Sequence, residues 1–228
     1  TGLNVDDLQI TINQDGDATA VWQQYAGGSS FFVIYASRFD AASAVWSAPT
    51  RIDTGTFQSS SPQIAMDQNG NAIAVWTQIT SSGYLHSDTY SSRFSAVSAT
   101  WSTPTILNTG TDAAYTQIAM DQSGNAIVVW QQHTGGTFHI YASRFSAGSL
   151  AWSTPALLDT EYGANYPQIA MNQSGDAIAV WPQYAASVGA VHLYIGRFDA
   201  GSLAWSTPTI LDTAIYRAID PEVAINQS

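Results

Sequence analysis

The residues of this chain best suited to binding chemistry are aromatic and amide side chains that return at regular positions. A tryptophan is followed two residues later by a glutamine at four places: Trp22/Gln24, Trp76/Gln78, Trp130/Gln132 and Trp181/Gln183. Other aromatic residues and one arginine stand near these pairs: Tyr25, Phe57, Tyr115, Tyr162, Tyr166, Tyr184, Tyr216 and Arg217. Aromatic rings stack on the C–H surface of sugars and amides fix their hydroxyls, so the pattern predicts a multivalent glycan site.

A structural interpretation of the same pattern stays open. A regularly spaced tryptophan packs well between repeated units, and the glutamine can satisfy backbone groups at the edge of a unit. Both roles, binding and packing, stay open for the tyrosines as well.

Metal binding is less favoured by the sequence. The four histidines share no repeat position that would build a ligand set: His86, His133, His139 and His192. The segments NQDGD at 13–17 and DQNGN at 67–71 are rich in oxygen donors, but they lack a bidentate Glu and keep the length of a tight hairpin. We predict hairpins with glycine at positive φ, with calcium as the alternative, and otherwise no metal and no cofactor.

All of these residues belong to a repeat. The eight tryptophans form two series whose members are 51 to 55 residues apart: Trp22, Trp76, Trp130 and Trp181, then Trp46, Trp101, Trp152 and Trp205. Arg38, Arg93, Arg144 and Arg197 follow the second series in step. A period of about 53 residues is typical of propellers and solenoids.

Each unit contains four short runs with strand chemistry. In the second unit they are PQIAMD, NAIAVWTQ, TYSSRF and WSTPTILN, separated by Gly, Asn, Asp and Ser. We therefore predict an all-β fold, a β-propeller of four-stranded antiparallel blades. The blades are expected at about 6–56, 57–111, 112–161 and 162–215, with 216–228 as the first strand of a fifth unit. A larger propeller, a closed four-bladed ring and strand pairing between chains all stay open.

The turns differ in how constant they are. The first-to-second and third-to-fourth turns keep one length, whereas the second-to-third loop and the link to the next unit vary. In an antiparallel blade the constant turns lie on one rim and the variable ones on the other. Because variable loops on a rigid scaffold usually carry function, we place binding on the second rim.

Composition narrows the partners and the location. The formal net charge of −11 disfavours nucleic acid and anionic membranes, and no apolar run approaches the roughly 20 residues of a membrane span. The chain has six arginines and neither lysine nor cysteine, and its polar residues are mainly Ser, Thr, Asn and Gln. That balance is typical of extracellular bacterial repeat proteins, so we expect a mature, secreted or cell-surface protein that binds glycans and does not insert in a membrane. A homo-oligomer is left open.

The third-to-fourth turn resembles a known motif. It reads SRFDAASAVWSAP at 37–49, SRFSAGSLAWSTP at 143–155 and GRFDAGSLAWSTP at 196–208. These segments resemble the Asp-box, the bacterial neuraminidase repeat, with Asp40 and Asp199 at the box position and Ser95 and Ser146 in the other units. The resemblance implies a sialidase-like propeller, a fold that serves hydrolases and lectins alike.

A sialidase-like enzyme would need an arginine cluster, a tyrosine nucleophile assisted by Glu, and an acidic Asp. Outside the repeat positions the chain offers only Arg51 and Arg217, and its only glutamates are Glu161 and Glu222. We therefore expect no catalytic residues and a non-enzymatic, lectin-like protein. A scaffold that assembles through strand edges, or a fragment of a sialidase-like glycoside hydrolase, is the alternative.

Overall fold

The computed structural model describes residues 4–27, 31–81, 86–186, 189–213 and 221–226. Within these residues the secondary structure consists of strands and turns, and the strands form four antiparallel sheets of one design. The predicted all-β fold class is confirmed. The described ranges contain no helix that could cross a membrane.

Five strand segments make up each sheet. The first sheet contains β1 (Val5–Ile12), β2 (Ala18–Tyr25), β3 (Phe32–Asp40), β4 (Val45–Trp46) and β5 (Thr50–Arg51). The second contains β6 (Ser59–Met66), β7 (Ala72–Ile79), β8 (Ser87–Ser95), β9 (Thr100–Trp101) and β10 (Thr105–Ile106). The third contains β11 (Thr111–Met120), β12 (Ala126–Thr134), β13 (Thr137–Ser146), β14 (Ala151–Trp152) and β15 (Ala156–Leu157). The fourth contains β16 (Gln168–Met171), β17 (Ala177–Ala185), β18 (Ala190–Asp199), β19 (Ala204–Trp205) and β20 (Thr209–Ile210).

The outer strand of every sheet is interrupted. The three long strands pair in chain order, and the third also pairs with both short segments, which together form one outer strand. A proline stands between the two segments in each sheet: Pro49, Pro104, Pro155 and Pro208. Because proline has no N–H to donate, it breaks the ladder there. Each sheet is thus a four-stranded blade with a broken outer strand.

Both faces of the inner blades are buried. Ala74 and Trp76 of β7 pack against the first sheet, whereas Ile73 and Val75 pack against the third. The same alternation along β12 joins the second, third and fourth sheets. Consecutive apolar residues are therefore needed, since neither face of the strand meets water.

The first strands of successive sheets lie side by side, with β6 between β1 and β11, and β11 between β6 and β16. This places them innermost, as in a propeller. Of the predicted fifth unit, residues 216–220 and 227–228 lie outside the described residues, and residues 221–226 have no regular secondary structure. Ile225 nevertheless lines a depression on the fourth sheet with Phe198 and Trp205, on the side where a following blade would pack.

One face of the first sheet is open. Leu8, Ile10 and Ile12 of β1 are 60 to 67% exposed, although Ile64 and Ile118 at the position of Ile10 are half-buried. Sheet faces of this type are covered by the preceding blade elsewhere in the chain. The first sheet therefore presents a row of exposed apolar side chains, a feature that often marks an interaction site.

Candidate functional site

Antiparallel pairing separates the turns of each blade into two rims. The constant rim holds the first-to-second and third-to-fourth turns. The variable rim holds the second-to-third loops, the links between blades and the beginnings of the first strands. The predicted division into two rims follows from this topology.

The first turn of each blade closes with its own side chains. The Oδ1 atom of Asp67 accepts the N–H groups of Asn69 and Asn71, both at 2.9 Å, and its Oδ2 atom accepts the amide of Asn71 at 2.8 Å. Gly70 follows with φ of 78°. The turn is thus a hairpin closed by an Asx-type bond. The described residues hold no group of three or more His, Cys, Asp or Glu side chains placed for a metal; calcium binding itself stays untested.

The four Trp–Gln pairs form one recurring hydrogen bond. The indole Nε1 donates to the Gln Oε1 two residues later at 3.0, 3.3, 3.1 and 2.8 Å in the four blades. Trp76, Trp130 and Trp181 are 0% exposed. Trp76 and Trp130 also stack on Tyr90 and Tyr141 of the neighbouring strand. These three indoles offer no face to a sugar, so the geometry favours their packing role, and only Trp22 with Gln24 keeps partial exposure.

The glutamines of the same three pairs are covered as well. Gln78, Gln132 and Gln183 are 5%, 2% and 0% exposed. Both ends of the Gln132 amide are engaged, since its Oε1 accepts from Trp130 and its Nε2 donates to Thr134 Oγ1 at 3.3 Å. The structure therefore disagrees with the expectation that Gln132 fixes a sugar hydroxyl, and the same burial argues against Gln78. An amide enclosed by adjacent blades satisfies groups inside the fold instead of meeting a ligand.

Two tyrosines of the variable rim, in contrast to these tryptophans and glutamines, are exposed. Tyr115 and Tyr166 are 47% and 40% exposed, and their rings meet edge to face with centroids 4.4 Å apart. Their φ angles are 52° and 46°, in the left-handed region that non-glycine residues seldom adopt. A hydrogen bond with Tyr166, and then partial burial, raise the pKa of the Tyr115 phenol. The pair is therefore both open and held in one geometry.

The two tyrosines share one repeat position, which is a bulge in each of the first three blades. The register of the first strand shifts between Ala114 and Gln117, as it does in the first and second blades. The left-handed residue at this position varies along the chain: Asp7, Ser61, Tyr115 and Tyr166. Bulges often re-aim side chains beside functional sites. All four positions lie where the innermost strand meets the variable rim.

Glutamines from the preceding blade hold two of these bulges. Gln23 Oε1 accepts the N–H of Ser61 at 3.1 Å, and Gln131 Oε1 accepts the N–H of Tyr166 at 3.3 Å. The prediction from sequence missed these supports, because it considered only the glutamine two residues after each tryptophan. The sequence does contain a signal for them, because Gln23 and Gln131 both stand one residue after the repeat tryptophan.

Other aromatic pairs line the variable rim. The ring of Tyr184 stacks on Tyr162 with centroids 6.5 Å apart, and both rings are partly exposed. Tyr25 stacks on Phe32 at 4.2 Å, and Phe57 meets Phe31 edge-on at 6.4 Å. The phenylalanines on the third strands were not predicted. Tyr216 and Arg217 lie outside the described residues.

A polar residue in each link ties the outer strand to the third strand. In the third blade Asp159 Oδ1 accepts the N–H of Ile140 and Oδ2 contacts His139 Nδ1, both at 2.8 Å. Burial raises the pKa of Asp159, against the opposing hydrogen bond from His139. Asp53, Asn108 and Asp212 occupy the same position in the other blades. These side chains hold each link against the third strand, next to the variable rim.

Arg38 and Arg51 are held by contacts within the fold. Arg38 Nη1 donates to the Gly70 carbonyl of the next blade at 2.7 Å, and the guanidinium lies 4.2 Å from the ring centroid of Phe94. Arg51 Nε donates to Asp53 at 2.7 Å. The repeat arginines all stand at the end of a third strand, beside the constant rim.

Comparison with solved structures identifies the fold. A protein of unknown function from Dyadobacter fermentans superimposes with TM-score 0.61 at 11% identity, over 91% of this chain and 69% of that one. A GH93 alpha-L-arabinofuranosidase of Fusarium graminearum gives TM-score 0.55 at 13% identity, over 85% and 62%. A Hadza microbial sialidase gives TM-score 0.57 at 12% identity, over 89% and 46%. Neither a family profile nor a curated protein sequence matches the chain.

At these identities the similarity establishes the fold alone. This chain spans less than two thirds of the arabinofuranosidase and less than half of the sialidase. The expectation of a non-enzymatic protein is overturned, because the structures that share its fold include two carbohydrate-active enzymes. The scarcity of spare arginine and glutamate in the sequence was not a sound reason to exclude catalysis.

Proposed function

We propose that this chain recognises carbohydrate at its variable rim, with Tyr115 and Tyr166 as the principal contacts. The observation that carries the proposal is the edge-to-face pair itself, which combines two partly exposed rings with a fixed backbone. Rigid aromatic side chains bind at a small cost in conformational entropy, and their faces match the C–H surface of a sugar ring.

The surroundings of the pair support this proposal. The Tyr162–Tyr184 and Tyr25–Phe32 pairs extend the aromatic surface along the same rim. The fold similarity to an arabinofuranosidase and a sialidase also supports it, since both names describe enzymes that act on sugars. Several aromatic pairs on one rim would give the protein several contacts with a chain of sugars.

The proposal includes two finer assignments. The third-to-fourth turns are degenerate Asp-boxes, in which Asp40 accepts the N–H of Ser43 at 2.9 Å and Asp199 accepts that of Ser202 at 2.7 Å. The protein acts outside a bacterial cell or on its surface, where polysaccharides are met.

A glycan array followed by calorimetry tests the proposal. The 228-residue chain should bind at least one oligosaccharide, and Tyr115→Ala and Tyr166→Ala should each weaken that binding about tenfold or more, the loss of one aromatic contact. Val97→Ala, 98% exposed on the constant rim, is the matched control and should bind like the unaltered chain. Failure of the whole array, or full affinity in both tyrosine variants, would overturn the proposal. Incubation of the bound sugar with the chain then shows whether recognition leads to cleavage.

The open face of the first sheet favours a second function, a scaffold that assembles through this surface. Ile10 and Ile12 would be covered in such an assembly, as Ile64 and Met66 are partly covered by their neighbours. Light scattering should then give a mass above that of one chain, and Ile10→Glu should restore the mass of one chain. A single-chain mass for the unaltered protein contradicts this function.

A further inference from the structure

The charges of the variable rim indicate which class of sugar it takes, an inference that rests on the proposed carbohydrate recognition. Six carboxylates there are exposed or half-buried: Asp6, Asp7, Asp88, Asp112, Glu161 and Asp212. Asp6 and Asp7 stand on the innermost strand, at the bulge position that Tyr115 and Tyr166 occupy in later blades. Negative charge is therefore placed beside the aromatic pairs as well as along the links.

Most of the basic groups described on this rim already face carboxylates. Arg51 is held by Asp53 at 2.7 Å and by the Gly55 carbonyl at 2.6 Å. His139 and His192 each contact a link aspartate at 2.8 Å, and His86 lies 3.7 Å from Asp112. His133 packs edge-on against the ring of Phe138. No arginine in the described ranges of this rim is left without an acidic partner.

The arginines that could clamp an acidic sugar stand elsewhere. Arg38, Arg93, Arg144 and Arg197 lie beside the constant rim, at the far end of each third strand. The third strand of a blade is about nine residues long, which separates the two rims by roughly 30 Å. At that distance an exposed charge is screened at physiological salt, whose Debye length is about 8 Å.

Two neutral side chains beneath the variable rim each keep one hydrogen-bonding atom without a partner among the described residues. Gln183 and His192 face each other across β17 and β18, and both side chains are at least nine-tenths buried. Gln183 Oε1 is taken by Trp181, and His192 Nδ1 by Asp212. Their Nε2 atoms have no partner, in contrast to the fully engaged amide of Gln132. Both atoms are buried, so the groups that this rim presents to a ligand are its aromatic rings and its carboxylates.

We propose that the variable rim selects uncharged saccharides and disfavours uronates and other acidic sugars. Aromatic pairs supply the stacking, and the surrounding carboxylates repel a ligand carboxylate. An acidic sugar would bring a like charge to a surface that holds no free counter-charge among its described residues.

The experiment measures binding of the 228-residue chain to a panel of neutral and acidic glycans, and includes one matched pair, an oligogalacturonate and its full methyl ester. Near 0.01 M salt, where the Debye length is about 30 Å, the ester should bind about tenfold more tightly than the acid. Near 1 M salt, where it is about 3 Å, the two should converge. The best ligands in the panel should be neutral.

Two double variants of equal charge locate the effect. Asp6→Asn with Asp7→Asn should narrow the gap between ester and acid at low salt. Asp40→Asn with Asp199→Asn changes the net charge equally on the constant rim, roughly 30 Å away, and should narrow the gap much less. The inference is overturned if an acidic glycan is among the tightest ligands, above all if Arg217→Gln weakens its binding. Carbohydrate recognition would still stand in that case. If no glycan in the panel binds, carbohydrate recognition itself fails, and the inference with it.

Discussion

Tyr115 and Tyr166 occupy equivalent positions in adjacent blades, and their rings meet edge to face with centroids 4.4 Å apart. Both residues have left-handed backbone conformations, which cost a non-glycine residue about 1 to 3 kcal/mol. The N–H of Tyr166 is held by a glutamine of the blade before it. The aromatic pair is thus positioned by two strained backbone conformations, of which a neighbouring blade stabilises that of Tyr166, and this arrangement can be tested by substitution.

At position 115, glycine should be more stable than alanine. The φ of 52° penalises any residue with a Cβ, so Tyr115→Gly should unfold with a free energy about 1 kcal/mol above that of Tyr115→Ala in urea titrations. Position 138 is the control, because Phe138 is partly exposed in a regular strand. There the glycine variant should instead be less stable than the alanine variant. The same order of stability at both positions would show that the bulge is not strained.

Equivalent tryptophans should differ in their contribution to stability. Trp76 is 0% exposed between two sheets, whereas Trp22 is half-buried on the open first sheet. Trp76→Phe should lower the free energy of unfolding by about 2 to 3 kcal/mol, through a cavity and the lost hydrogen bond to Gln78. Trp22→Phe should cost less than about 1 kcal/mol. Equal losses would indicate that the first sheet is covered in solution.

Gly124 should be required on the constant rim for two reasons. Its φ is 85°, and a Cβ would lie 2.8 Å from Asp67 Oδ2 of the preceding blade. Gly124→Ala should therefore cost about 2 to 3 kcal/mol, backbone strain plus the clash. Gly136 has a φ of 89° with open space around it, so Gly136→Ala reports the strain alone, about 1 kcal/mol. Equal costs in thermal or urea unfolding would show that Asp67 moves aside freely.

Asp159→Asn should change how stability depends on pH. Burial raises the pKa of Asp159, so the folded protein binds this proton more tightly than the unfolded chain does. The free energy of unfolding contributed by Asp159 is therefore greatest below the ordinary aspartate pKa of 3.8 and falls as pH rises through the raised pKa. In the variant this fall should be absent. Parallel stability curves for both proteins, recorded by urea unfolding across acidic pH, would contradict the expectation.

An asparagine already occupies the position of Asp159 in another blade of this protein. Asn108 holds the equivalent position in the second blade, where its Oδ1 accepts the N–H of Thr89 at 2.8 Å. Asp159 makes the same bond to Ile140 at the same distance. Asp159→Asn should therefore keep the link in place, and a loss of folding would mean that the His139 contact is indispensable.

Much of the blade followed from local patterns in the sequence. The run predicted at 62–67 is part of β6, but the strand begins at Ser59, because Ser59 and Ser60 still pair with β7 beyond the bulge. The outer strand was predicted as one run, WSTPTILN, and Pro104 divides it. The observed strand boundaries differ from the predicted ones where a bulge or a proline without an N–H interrupts the hydrogen-bond ladder. Neither feature changes the alternation of apolar residues from which the strands were predicted.

The candidate site was less predictable, since exposure depends on residues far away in the chain. The sequence by itself determined the repeat, the strand content and the division between constant and variable rims, because these follow from periodicity and turn chemistry. Only the tertiary structure decided that Trp76, Trp130 and Trp181 are covered by adjacent sheets while Tyr115 and Tyr166 stay open on their bulges. The same aromatic chemistry packs or binds according to whether a neighbouring blade covers it, and packing between blades is set by the assembled fold.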